Sequence, residues 1–126
     1  MHIKRIHLVY LALVALLGGA VSWHAGAASF PEKPVRVIIG FAPGGATDIQ
    51  ARLFAQKLSE EVGQHFIVDN RPGAGSLIAA KLASDATPDG YTLLAVTPSY
   101  TIAPAMRRKP PYDPVADFTP ISQNYL

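Results

Sequence analysis

The sequence predicts an α/β fold with a parallel β-α-β-α-β core, and three observations carry that expectation. Apolar, β-branched stretches alternate with stretches of helical periodicity between Val35 and Val96. The first two passages from strand to helix each run through a glycine-rich cluster, at residues 42–46 and 70–75. The order strand, helix, strand, helix, strand then calls for right-handed crossovers, which lay helices on a parallel sheet.

Taken in order, Ser29 to Pro34 is an extended lead-in fixed by Pro31 and Pro34. Val35 to Phe41 reads as a strand, apolar enough to be covered on both faces. Ala42-Pro43-Gly44-Gly45-Ala46 breaks it. A helix is expected to start at Thr47 or Asp48, where Thr47 and Gln50 have capping-box spacing. Ile49, Leu53, Phe54, Leu58 and Val62 recur at helical spacing as its core-facing stripe, and Gly63 ends it. Phe66 to Asp69 is a second strand. The breaker Asn70-Arg71-Pro72-Gly73-Ala74-Gly75 follows, and Ser76 is placed to cap a helix bearing Leu77, Ile78 and Leu82. Thr87-Pro88-Asp89-Gly90 is a turn, and Tyr91 to Val96 a third strand. Ile102 to Met106 suits one helical turn. Four prolines between Lys109 and Pro120 forbid regular helix, leaving an ordered crossover or a linker.

The N-terminus has its own grammar. Lys4 and Arg5 precede an uncharged, mostly apolar run from Leu8 to Val21, and Ala25-Gly26-Ala27 offers small residues for a signal peptidase. Residues 1–27 are expected to be a cleaved secretory signal, with the cut after Ala27. Gly18-Gly19 and the polar Ser22 and His24 shorten the run below the ~20 apolar residues of a spanning helix. The chain has 11 Lys and Arg against 9 Asp and Glu; Lys4 and Arg5 leave with the segment, so nine cations face nine anions. A neutral chain lacks the electrostatic footprint of nucleic-acid binding, and Arg107-Arg108-Lys109 reads as a solvated loop. Cysteine is absent and His65 is the sole histidine after position 27, which leaves no thiolate nucleophile, no cysteine-ligated metal and no histidine-rich metal site.

Both glycine clusters fall where a strand ends and a helix begins, the edge at which open α/β sheets bind ligands. Gly44, Gly45, Ala46 and Thr47 can form a backbone cradle for an anion, a carboxylate as readily as a phosphate. The same residues also fit a tight turn with Thr47 or Asp48 as an ordinary cap. The first cluster lacks the Gly-Lys-Ser/Thr of a P-loop. The second opens Gly73-x-Gly75 but carries Ile78 where the dinucleotide fingerprint needs a third small residue. Asp69 and Arg71 suit a salt bridge. No pair of residues has the spacing of catalytic carboxylates, so no catalytic residue and no cofactor are expected.

Five ordered motifs go further: Phe30-Pro31-x-Lys33-Pro34-Val35-Arg36; Phe41-x-Pro43-Gly44-Gly45-x-Thr47-Asp48; Asp69 to Gly75; Pro88 to Leu94; and Pro111-Tyr112-Asp113-Pro114-Val115-x-Asp117-Phe118-x-Pro120-Ile121. Together they resemble the start of the Bug (TctC-like) proteins, the extracytoplasmic solute receptors of tripartite tricarboxylate transporters. The resemblance implies a type II periplasmic-binding-protein-like fold, three-layer αβα, with small organic carboxylates held between two domains. It implies partnership with the membrane subunits of such a transporter. By motif position it assigns the first-domain contacts to Phe41, Pro43, Gly44, Gly45, Ala46, Thr47 and Asp48, with Thr97 and Ser99 at the end of the third strand. Phe41 would be an apolar wall, Gly44 to Thr47 the amide cradle, and Asp48 a determinant of loop geometry.

The family usually has Asn-Pro where this chain has Ala103-Pro104. Its members also run well past the position of Leu126. The expectation is therefore a signal peptide at 1–27 and the first part of solute-binding domain 1 at 28–126, without the second domain. Two alternatives to a receptor remain: a non-functional fragment, and a dinucleotide-dependent enzyme.

Overall fold

The structure is a computed structural model that describes residues 30–123. The signal-peptide expectation for residues 1–27 lies outside the described residues. Three parallel strands form the sheet: β1 (Val35–Ile39), β2 (Phe66–Asn70) and β3 (Thr92–Ala95), in the order β2-β1-β3. Helix α1 (Ala46–Val62) joins β1 to β2, α2 (Leu77–Ser84) joins β2 to β3, and α3 (Ser99–Ala105) follows β3. The first connection steps to one side of β1 and the second crosses back to the other, so right-handed crossovers put α1 and α2 on opposite faces. This is part of a three-layer α/β domain. Ile38 and Ile39, which point to opposite faces, are both 0% exposed, as a central strand between two helices requires.

Two helix starts differ from the sequence expectation. Helix α1 begins at Ala46, with Gly45 at the N-cap and no side-chain cap bond. Thr47 therefore builds no capping box. Ser76 does precede α2, but in the left-handed conformation (φ 73°) and again without a side-chain cap bond. The C-terminal stop of α1 is as expected: Gly63 has φ 72° and its N–H donates to Ser59 O at 3.1 Å.

The buried face of α1 is also a correction. Ala51 and Ala55 meet the sheet together with Asp48, whereas Ile49 and Leu53 are about 60% exposed and Phe54, Leu58 and Val62 are 40–44% exposed. Small residues let the helix axis approach β1 and β2 closely, which pushes the large apolar side chains onto the flanks.

On the other side of the molecule the proline-rich segment is ordered. Tyr112 is buried with Leu77 and Ala80, and its ring stacks on Tyr100 while Phe118 meets both edge-on. Pro104 lies inside α3 and has no N–H to give to Tyr100 O, four residues back. The Tyr112 hydroxyl supplies the missing donor, reaching Tyr100 O at 2.6 Å. The Tyr100 hydroxyl donates in turn to Pro114 O at 2.6 Å. The expected single turn at residues 102–106 is thus a longer helix, stitched to the segment that follows it.

Candidate functional site

The strand register aligns Ile39, Asn70 and Ala95, so the loops after all three strands leave one edge of the sheet. Strand order 2-1-3 makes the gap between β1 and β3 the switch point, where the chain departs in opposite directions, the place at which open α/β sheets bind ligands. Phe41 to Gly45 leave on one side of that gap and Thr97 to Ser99 on the other.

The first loop is open to water above and locked from below. Ala42, Pro43, Gly44, Gly45 and Ala46 are exposed, Phe41 and Thr47 are half-buried, and Asp48 is 3% exposed. Gly44 has φ +85°, which favours glycine at that turn. The Asp48 carboxylate accepts from Gly44 N–H at 2.8 Å, from Asn70 Nδ2 at 2.9 Å and from Arg52 Nε at 3.0 Å. Asn70 Nδ2 also donates to Phe41 O at 3.1 Å. Donation from Arg52, then from the Gly44 amide and Asn70, holds the Asp48 carboxyl down at about 2. Gly44's amide is therefore engaged within the chain. The first bond of the α1 ladder runs from Ile49 N–H to Gly45 O at 3.0 Å, so the amides of Gly45, Ala46 and Thr47 precede it. These amides sit at the positive end of a 17-residue helix.

The second side is neutral. Thr97 Oγ1 lies 2.9 Å from Ser99 Oγ, and Ser99 Oγ lies 3.2 Å from Ser76 Oγ. The hydroxyl chain is pressed against the end of β1. A Cβ on Gly40 would come within 2.5 Å of Ser76 Cβ. The backbone thus brings Thr97 and Ser99 beside the loop that starts at Phe41.

Three residues of this edge had no such role in the sequence expectation. By sequence Ser76 reads as a helix cap and Asn70 as a turn residue. Arg52 is signalled only by its spacing of four from Asp48 on a helix, which suits an ion pair. Asp69 and Arg71 do pair, at 3.0 Å, and Arg36 joins them. Among the described residues no group of three or more His, Cys, Asp or Glu side chains is placed to hold a metal. A concavity of about 390 Å³ between α3 and the proline-rich segment, bounded by Thr101, Pro104, Tyr112 and Pro114, shares no residue with this edge.

A parallel 2-1-3 sheet with helices on both faces, an amide-rich loop and a hydroxyl cluster at its switch point makes this a partial α/β domain. The family can be named as well: residues 50–125 match the tripartite tricarboxylate transporter family receptor (TctC) model, and the chain belongs to that family. It is 42% identical over 115 residues to a UPF0065 protein of Bordetella pertussis, covering 89% of this chain and 35% of that one. Among solved structures it is similar to the periplasmic binding protein BugD, at 36% identity and TM-score 0.65 over 68% of this chain and 28% of that one. MatC from Rhodopseudomonas palustris with bound malate matches at 40% identity and TM-score 0.66, over 72% of this chain and 31% of that one. Rpa4515 of R. palustris with adipate matches at 40% identity and TM-score 0.63, over 68% and 29%. The chain thus spans about a third of the length of the relatives it matches. The family is one of receptors, and the dinucleotide-dependent enzyme alternative falls with that finding.

Proposed function

We propose that this chain forms the first wall of a periplasmic receptor for small carboxylate-bearing solutes, serving a tripartite tricarboxylate-type uptake system and its membrane subunits. The observation that carries the reading is the pairing of ligand class with site chemistry. Two solved relatives at 40% identity hold dicarboxylates, adipate and malate, and this sheet edge offers donors without a basic side chain in the loop itself.

In this reading the amides of Gly45, Ala46 and Thr47 receive one carboxylate, helped by the helix dipole. Phe41 and Pro43 form the apolar rim, and Asp48 with Gly44 sets the loop's shape from beneath. Thr97 and Ser99 offer hydroxyls that can donate or accept, suited to a second polar group of the solute. The signal-like residues 1–27 supply the route out of the cytoplasm. In this reading residues 28–126 make up the first part of solute-binding domain 1, and the sheet edge is the wall that this part lends to the site.

A thermal-shift titration of the chain with adipate, malate and a monocarboxylate control tests this. The reading expects a saturable, modest rise in Tm with dicarboxylates at millimolar concentration. No rise with any of them would refute a working receptor and favour a non-functional fragment.

A further inference from the structure

Arg52 touches more of the site's framework than any role assigned above explains. From α1 its Nε donates to both Asp48 carboxylate oxygens, at 3.0 and 3.1 Å, and its Nη2 donates to Asn70 Oδ1 at 2.9 Å. Asp48 holds Gly44 N–H and Asn70 holds Phe41 O, so Arg52 joins the two groups that fasten both ends of the loop.

The charge arrangement is as informative as the geometry. The Asp48 side chain is 4% exposed and that of Arg52 is 52% exposed. A fully formed negative charge therefore lies under a loop that would receive an anion. The other groups bonded to Asp48, the Gly44 amide and the Asn70 amide, are neutral. Asp69, next to Asn70 on β2, is engaged by Arg36 and Arg71. Among the described residues Arg52 is the cation that meets Asp48. A plain surface ion pair would contribute little, but this one closes a network with a buried member.

We propose that Arg52 is a positioning residue for anion binding at the Gly45–Thr47 amides, fixing the loop through Asp48 and Asn70 and cancelling the charge that would otherwise repel a carboxylate. This rests on the carboxylate-receptor reading above.

The test compares the full chain with Arg52→Met, Arg52→Lys and the double variant Asp48→Asn/Arg52→Met. Two readouts are taken: adipate affinity at pH 7.5, and the pH titration of the Gly44 amide by NMR. Arg52→Met is expected to weaken adipate on the order of tenfold, because it leaves the Asp48 charge uncompensated beneath the loop. It should also move the Gly44 titration midpoint upward. Arg52→Lys should recover part of the loss. The double variant should recover most of it, because the asparagine side chain would still accept from Gly44 while no charge remains to cancel. A purely structural role for Arg52 predicts no recovery in the double variant, and that result would overturn the proposal. So would unchanged affinity in Arg52→Met. If the unsubstituted chain binds no adipate, the receptor reading fails; the loop-fixing role is then judged on the Gly44 titration, and an unmoved midpoint refutes it.

Discussion

The loop after β1 is held by charge, and the corner where the loops after β2 and β3 meet is held by neutral hydroxyls. Asp48 gathers a guanidinium and two amides around a buried carboxylate. Ser76, Ser99 and Thr97 share protons along a chain in which any hydroxyl can turn donor or acceptor. A charged lock is rigid and directional, because every partner must donate. A hydroxyl chain is adaptable, because its protons can reorient toward an incoming group. The contrast suggests a division of labour across the switch point: a fixed amide platform on one side and an adjustable polar surface on the other.

Removing the charged lock should have the largest effect. Asp48→Ala leaves Gly44 N–H without its acceptor and strands the Arg52 and Asn70 donors, so its fall in Tm should exceed that of the other two substitutions. Acid should do the same reversibly. The Asp48 carboxyl lies below its ordinary 3.8, at about 2, so its stabilisation is complete above about pH 3.8 and is lost as pH falls toward about 2. Asp48→Asn should shrink the acid loss of stability, leaving the part carried by Glu60, Asp69 and Asp113, which are also held below their ordinary values, while Ser99→Ala should leave it whole.

Gly40→Ala tests the seam between the two halves. The new Cβ would meet Ser76 at 2.5 Å, and Ser76 is buried and tied to Ser99. Overpacking of this kind costs about 1–3 kcal/mol, readable in urea unfolding. A neutral result would show that the hydroxyl corner yields freely. Ser99→Ala should be the mildest. It removes the central hydroxyl but leaves the half-buried Thr97 partly reachable by water, for a loss of about 0.5–1.5 kcal/mol. A larger loss would mean that the hydroxyl corner is as rigid as the charged loop, and the contrast would fail.

The strands were legible because Val35–Ile39 is a dense β-branched run bounded by proline and glycine, a strong local signal. The buried face of α1 was not. Counting large apolar residues selected Ile49, Leu53, Phe54, Leu58 and Val62, whereas close helix-to-sheet packing selected Ala51 and Ala55, which periodicity weighs lightly. The capping expectation failed for a related reason: Asp48 reaches back to Gly44, and the loop geometry leaves Gly45 as the N-cap. At the site, the loop Phe41–Asp48 was marked by its glycines and by resemblance. Ser76 and Asn70 were hidden because their partners lie 23 and 22 residues away, and no local pattern reports such pairs. The donation of Tyr112 to Tyr100 O, which offsets Pro104, is concealed in the same way, although the proline itself was in plain view.

The most direct measurement is an NMR titration of the isotopically labelled chain with malate, following every assigned amide and hydroxyl-bearing residue of the sheet edge. The account predicts saturable shifts at Gly45, Ala46 and Thr47, together with shifts at Thr97 or Ser99, while residues of the Tyr100–Tyr112 cluster stay still. Shifts confined to the concavity beside Tyr112, or none at all, would contradict it.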